Sequence, residues 1–279
     1  MNATHLFIAL TVGFLAGLHI STWGMYKDAI YEGFGWWRYA RSAIIGSAVA
    51  VIAYVVARPD LGQPDQIMLF FGLAYVLERG IVEFWKTFVR TEDQSKYFIP
   101  MQFHVFGRVI ESRAQRLAVG LPFALFVVVA FLAIHHLTRQ ADWQPSWWTV
   151  FAIASIGGWI SAIGGAWKDA PIEGFETLKF FRSPVFAGLY GLLLAAFSTS
   201  LLFIVTAALG FTIATLETYK TFFFPSKPRG KFAGKPLQFP DMLERRKPFA
   251  VLYVAIWIAV VAGFATAFAS PHQGLVSFF

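Results

Sequence analysis

Long uncharged apolar stretches dominate the chain. Runs of spanning length, about 20 residues each, occupy Leu6–Met25, Leu117–Leu137, Trp143–Trp167 and Phe249–Ala269. Ser42–Val56 is shorter and begins directly after Arg41. Ile67–Phe88 has the length but contains Glu78, Arg79, Glu83 and Lys86. From Ser183 to Phe224 the apolar pattern lasts for about two spans. Ser198-Thr199-Ser200 is its polar interruption, so the chain is expected to turn there. The pattern predicts an all-α membrane protein with eight transmembrane helices.

Composition agrees. Hydrophobic residues make up 57% of the 279 and charged residues only 14%, whereas a soluble domain is about a quarter charged. A soluble chain of this length could not bury so much apolar surface in one core. Disordered chains, nucleic-acid-binding domains and disulfide-stapled modules are excluded. No cysteine is present, which removes thiol nucleophiles and thiolate metal sites. The residues ahead of Leu6 carry no Lys or Arg. The first run therefore reads as a retained helix rather than a signal peptide.

The net charge of +7 matters less than its distribution. Of the 23 Lys and Arg residues, Arg58 and Arg139 fall in the loops after helices two and four, and Arg79 falls inside helix three. The others lie in or beside the loops after helices one, three, five and seven. The positive-inside rule places those four loops in the cytoplasm. Both termini are then expected on the non-cytoplasmic side, with a bacterial inner membrane as the setting.

The two halves of the chain match. Lys27-Asp28-Ala29-Ile30-Tyr31-Glu32-Gly33-Phe34 returns 141 positions later as Lys168-Asp169-Ala170-Pro171-Ile172-Glu173-Gly174-Phe175. At the same offset Gly17 matches Gly158, and Arg41-Ser42 matches Arg182-Ser183. Glu83-Phe84-Trp85-Lys86-Thr87-Phe88 then matches Glu217-Thr218-Tyr219-Lys220-Thr221-Phe222. Pro100-Met101-Gln102-Phe103 matches Pro236-Leu237-Gln238-Phe239. This ordered series reads as a duplicated four-helix unit, residues 1–140 and 142–279. Four helices are an even number, so both units share one orientation. A pseudo-two-fold axis along the membrane normal is expected.

Three repeated motifs carry the candidate chemistry. In the first, Asp28 and Glu32, and again Asp169 and Glu173, are four apart and share a helix face. The two pairs together would suit a divalent cation such as Mg²⁺. Lys27, Arg41, Lys168 and Arg182 beside them would hold phosphate oxygens. The competing reading is a corner: helix one ends at Tyr26, Asp28 caps a short interfacial helix and Gly33 closes it. The second motif sets Glu83 three residues before Lys86, and Glu217 three before Lys220. Each is either a self-satisfied ion pair or part of a ligand site. The third, Lys-(Tyr/Phe) followed by Pro-x-Gln-Phe, lies in basic loops suited to anionic lipid headgroups.

Glu78 and Arg79 are the most deeply placed charges. Arg79, Glu83 and Lys86 draw a polar stripe along one face of helix three, while the second half carries Thr212 and Ile213 at the matching positions. The six histidines include no pair at i,i+3 or i,i+4, so helix spacing supports no multi-His metal centre. No Gly-rich phosphate loop or His-Glu-x-x-His motif is present. The function expected is a cytoplasm-facing charged site for a phosphorylated or anionic lipid or metabolite. A transporter or channel is one alternative, and a non-catalytic subunit contacting membrane-protein partners is the other.

Overall fold

The computed structural model describes residues 2–276 except 94–96, 100–102, 107, 138–144 and 225–229, and only the backbone of 137, 168–173 and 230. The chain is almost entirely helical. α1 (Ala3–Glu32), α2 (Trp36–Ala57) and α3 (Pro64–Phe84) come first, and α3 runs on into one π-helical turn, Trp85–Val89. A minimal antiparallel hairpin, β1 (His104–Val105) and β2 (Arg108–Val109), leads into α4 (Arg113–Leu137). α5 (Trp147–Glu173), α6 (Thr177–Ala195) and α7 (Leu201–Phe222) follow. The short α8 (Met242–Arg245) then leads into α9 (Lys247–Ala269).

Seven helices are long and apolar enough to cross a membrane: α1, α2, α4, α5, α6, α7 and α8–α9 taken together. The exception is α3, whose three charges near one end break the apolar window. Its 21 residues still span about 30 Å. The chain turns between α6 and α7, where the Ser198-Thr199-Ser200 interruption lies.

α3 and α7 form the centre. Leu69, Phe70, Phe71 and Ala74 of α3 are buried, as are Val205, Ala207, Ala208 and Phe211 of α7. Their backbones touch at Gly72 and Gly210, where a methyl on either glycine would strike the other helix's main chain. Such contact suits a lipid setting, where small residues permit the close approach that van der Waals packing needs. α1, α2 and α9 pack on α3, while α5 and α6 pack on α7. Leu121, Leu125 and Phe126 of α4 and Val251, Val254 and Ile258 of α9 point outward, as a hydrocarbon solvent favours.

The α1–α2 and α5–α6 pairs meet through corresponding residues. A methyl on Gly17 would run into the carbonyl of Ser42, and one on Gly158 into that of Ser183. Gly33 and Gly174 end α1 and α5 with positive φ of 70° and 80°, a conformation that glycine adopts without a Cβ clash.

One expectation fails. α1 does not stop at Tyr26; it continues unbroken to Glu32, so Asp28 is a mid-helix residue and not a cap. Lys27 and Asp28 looked like the water boundary because an isolated helix would expose them there. Here α7 and the segment after it cover that turn. Phe232 stacks on Tyr31 at 4.1 Å, and the amides of Gln238 and Phe239 both donate to the Ile30 carbonyl, at 3.1 and 3.0 Å. Arg246 donates to the Tyr26 carbonyl at 2.6 Å. The Pro-x-Gln-Phe motif of the second half thus closes the end of α1 by occupying the Ile30 carbonyl, one of those that a helix terminus leaves open. Its first-half counterpart, Lys96 and Pro100-Met101-Gln102, lies outside the described residues.

Candidate functional site

Lys27 lies about 36 Å along α1, counting 1.5 Å per residue from Ala3. Its ammonium group donates to Glu217 Oε2 of α7 at 3.0 Å, and Lys220 donates to Glu217 Oε1 at 3.1 Å. Glu217 is therefore held between two cations and is largely shielded from solvent. On α3, Arg79 donates to Glu83, and Lys86 approaches the same carboxylate oxygen at 3.4 Å. The indole of Trp23 joins the two clusters, with Lys27 Nζ 4.6 Å and the Arg79 guanidinium 5.2 Å from its ring centre. Cations over an indole face gain electrostatic attraction, and more so where water is excluded.

Deeper in, an aromatic layer lies behind this charge. Trp23 Nε1 donates to the Tyr75 oxygen at 2.9 Å, which leaves the Tyr75 hydroxyl proton for His19 Nδ1 at 3.1 Å. The His19 ring stacks on Tyr253 at 4.1 Å. Thr218 bonds the Tyr253 hydroxyl at 2.6 Å and accepts from Trp257 Nε1 at 3.1 Å. His19 thus occupies a packed hydrogen-bonding position, with no other imidazole beside it among the described residues.

A cleft of about 470 Å³ is lined in part by Thr218 and Trp257. Phe186, Leu216, Tyr219 and Phe223 give it apolar walls, and Arg182 joins the lining. The guanidinium is 5.8 Å from the Tyr219 ring centre, and its Nε is buried without a hydrogen bond among the described residues.

The sequence-derived candidates separate into distinct places. Lys27, Glu217 and Lys220 come together, as do Glu83 and Lys86. Arg182 belongs to the cleft, and Arg41 is exposed on α2. Glu32 is paired with Lys231 at 3.1 Å, while Asp28 Oδ1 is buried without a hydrogen bond among the described residues. The side chains of Lys168, Asp169 and Glu173 lie outside the described residues. Among the described residues no three His, Asp or Glu side chains gather as metal ligands would. Sequence reasoning missed Trp23, Tyr75, Thr218, Tyr253 and Trp257. Trp23 lies four residues before Lys27 on one helix face, and that spacing was the available signal. No family model, curated protein or solved structure matches the chain.

Proposed function

We propose that this polytopic membrane protein binds an anionic amphiphile in the cytoplasmic leaflet, in the cleft between α6, α7 and α9. The observation that carries the reading is the cleft's composition: apolar and aromatic walls with Arg182 among the lining residues. A guanidinium presents several N–H donors in a planar fork that matches phosphate or carboxylate oxygens. The buried Nε of Arg182 is one donor without a protein acceptor among the described residues. An acyl or isoprenoid tail would lie along Phe186, Leu216 and Trp257, with its phosphate or carboxylate head on Arg182.

The wider architecture belongs to the same proposal. α3 counts as an eighth span, since its charges face α1, α2 and α7 rather than lipid. The halves are two parallel four-helix repeats about a pseudo-two-fold axis through the α3–α7 contact. Support comes from the Gly17–Ser42 and Gly158–Ser183 approaches, which repeat at one offset, and from the positive φ shared by Gly33 and Gly174. The basic loops face the cytoplasm by the positive-inside rule, in a bacterial inner membrane. The Mg²⁺ reading has less support, because Glu32 is engaged by Lys231.

The test is native mass spectrometry of detergent-purified protein, followed by lipid extraction. Wild type should carry a phosphorylated or carboxylated lipid, and Arg182→Leu should lose it. Arg245→Leu removes an equal charge from a side chain that is 64% exposed, and it should retain the lipid. Equal retention by both variants would remove the cleft from consideration.

A further inference from the structure

Glu78 stands apart from the paired charges. It is fully buried, about 21 Å along α3 from Pro64, and neither carboxylate oxygen has a hydrogen-bond partner among the described residues. Its neighbour Arg79 acts on it through charge alone, because that guanidinium makes its contacts with Glu83 and the Trp23 face. Adjacent helix residues point about 100° apart, so Arg79 cannot turn to both. The groups acting on Glu78 are Arg79 and Glu83 of its own helix, Lys86 of the π turn, and the Ser42 hydroxyl of α2. Of the other helices packed on α3, α1 and α7 bring Lys27 and Glu217, which are paired with each other. α9 brings Tyr253, bonded to Thr218.

A buried oxygen on α1 also lacks a partner. Ser21 is one turn beyond Gly17 on α1, and Gly17 is the residue that touches Ser42. The Ser21 hydroxyl is buried and unpartnered among the described residues. α1, α2 and α3 pack on one another, and the carboxylate and hydroxyl oxygens they carry are of the hard-oxygen kind that suits a small, hard cation. A buried carboxylate whose oxygens no hydrogen bond satisfies is costly, and a bound cation reduces that cost.

We infer that Glu78, with Ser42 and Ser21, is the binding site of a single small monovalent cation, Na⁺ or H⁺, at the meeting of α1, α2 and α3. The site is separate from the Arg182 cleft, and lipid retention there does not bear on it.

The experiment measures thermal unfolding of the purified full-length protein in detergent at fixed ionic strength. One arm exchanges choline for Na⁺ at constant pH, and the other changes pH without Na⁺. A Na⁺ site raises the unfolding temperature with Na⁺ in wild type, and Glu78→Gln abolishes the rise. A proton site gives no Na⁺ response but a pH-dependent unfolding temperature, and the part contributed by this site disappears in Glu78→Gln. Should Glu78→Gln fail to fold, Ser42→Ala decides. It leaves the carboxylate in place and should move the Na⁺ midpoint to higher concentration or displace the pH midpoint. The inference is overturned if wild type responds to neither cation, or if the variant that folds responds as wild type does.

Discussion

Glu217 holds two cations at once, which makes the Lys27–Glu217 pair asymmetric to mutation. Lys27→Met removes one partner but leaves Glu217 bonded to Lys220 at 3.1 Å. The loss is then that of one charge-assisted hydrogen bond, about 1.5–3 kcal/mol. Glu217→Met instead leaves Lys27 and Lys220 facing each other with no carboxylate between them, and breaking a buried pair in this way costs about 3–5 kcal/mol. For scale, the direct attraction at 3.0 Å is ~5–6 kcal/mol at an effective dielectric of about 20, so neither loss exceeds the interaction available. In the double variant Met packs against Met, and Lys220, with 24% of its side chain exposed, can reach water. Replacing a buried pair by apolar residues is often nearly neutral, so the double variant should be more stable than Glu217→Met alone, with a coupling of about 2–3 kcal/mol. Unfolding of the purified protein in mixed micelles, followed by tryptophan fluorescence, gives all three values. If the single losses simply add, or Lys27→Met costs as much as Glu217→Met, the two-cation geometry is wrong.

The glycine contacts predict a contrast: Gly158→Ala should destabilise by about 1–3 kcal/mol because its methyl meets the α6 backbone. Gly164→Ala, with no atom in its way, should gain up to ~1 kcal/mol of helix propensity, and thermal unfolding separates the two. Trp23→Leu should loosen both ion clusters, costing about 2 kcal/mol or more from lost cation contacts and ring burial; circular dichroism melts will show whether it does. Phe239→Ala combined with Lys231→Ala should speed proteolytic cutting within residues 230–246 and leave the helical content unchanged. Ala3→Cys should be labelled by an impermeant reagent from outside intact cells, and labelling only after lysis would reverse the proposed orientation.

The spans were legible because hydrocarbon-facing helices need uninterrupted apolar runs, and Leu117–Leu137 and Phe249–Ala269 supply them plainly. The turn near Ser198 was legible because two spans cannot pass without a polar break. The end of α1 was misread for a reason of range. Lys27 and Asp28 are covered by residues about 190 to 220 positions away, and local polarity carries no record of such partners. The ion pairs Glu83–Lys86 and Glu217–Lys220 followed from i,i+3 spacing. That Glu217 would also receive Lys27, or that Arg79 would turn from Glu78 toward Trp23, depends on how α1, α3 and α7 are rotated against one another. Apolar pattern constrains that rotation weakly when helices are apolar on nearly every face.

The seal on α1 has a consequence for how the protein is made. The carbonyl of Ile30, the carboxylate of Glu32 and the stacking of Phe232 on Tyr31 all wait for residues 231–239, and the second donor to the Tyr26 carbonyl waits for Arg246. During synthesis the first half reaches the membrane roughly 200 residues before its own first helix is closed. At about 5–20 residues per second, that interval is on the order of 10–40 seconds. Throughout it, the end of α1 presents the open Ile30 carbonyl and the acid of Glu32 to whatever handles the nascent chain. A first half produced alone would keep that exposure, whereas supplying residues 142–279 as a separate chain would restore the missing closure in trans.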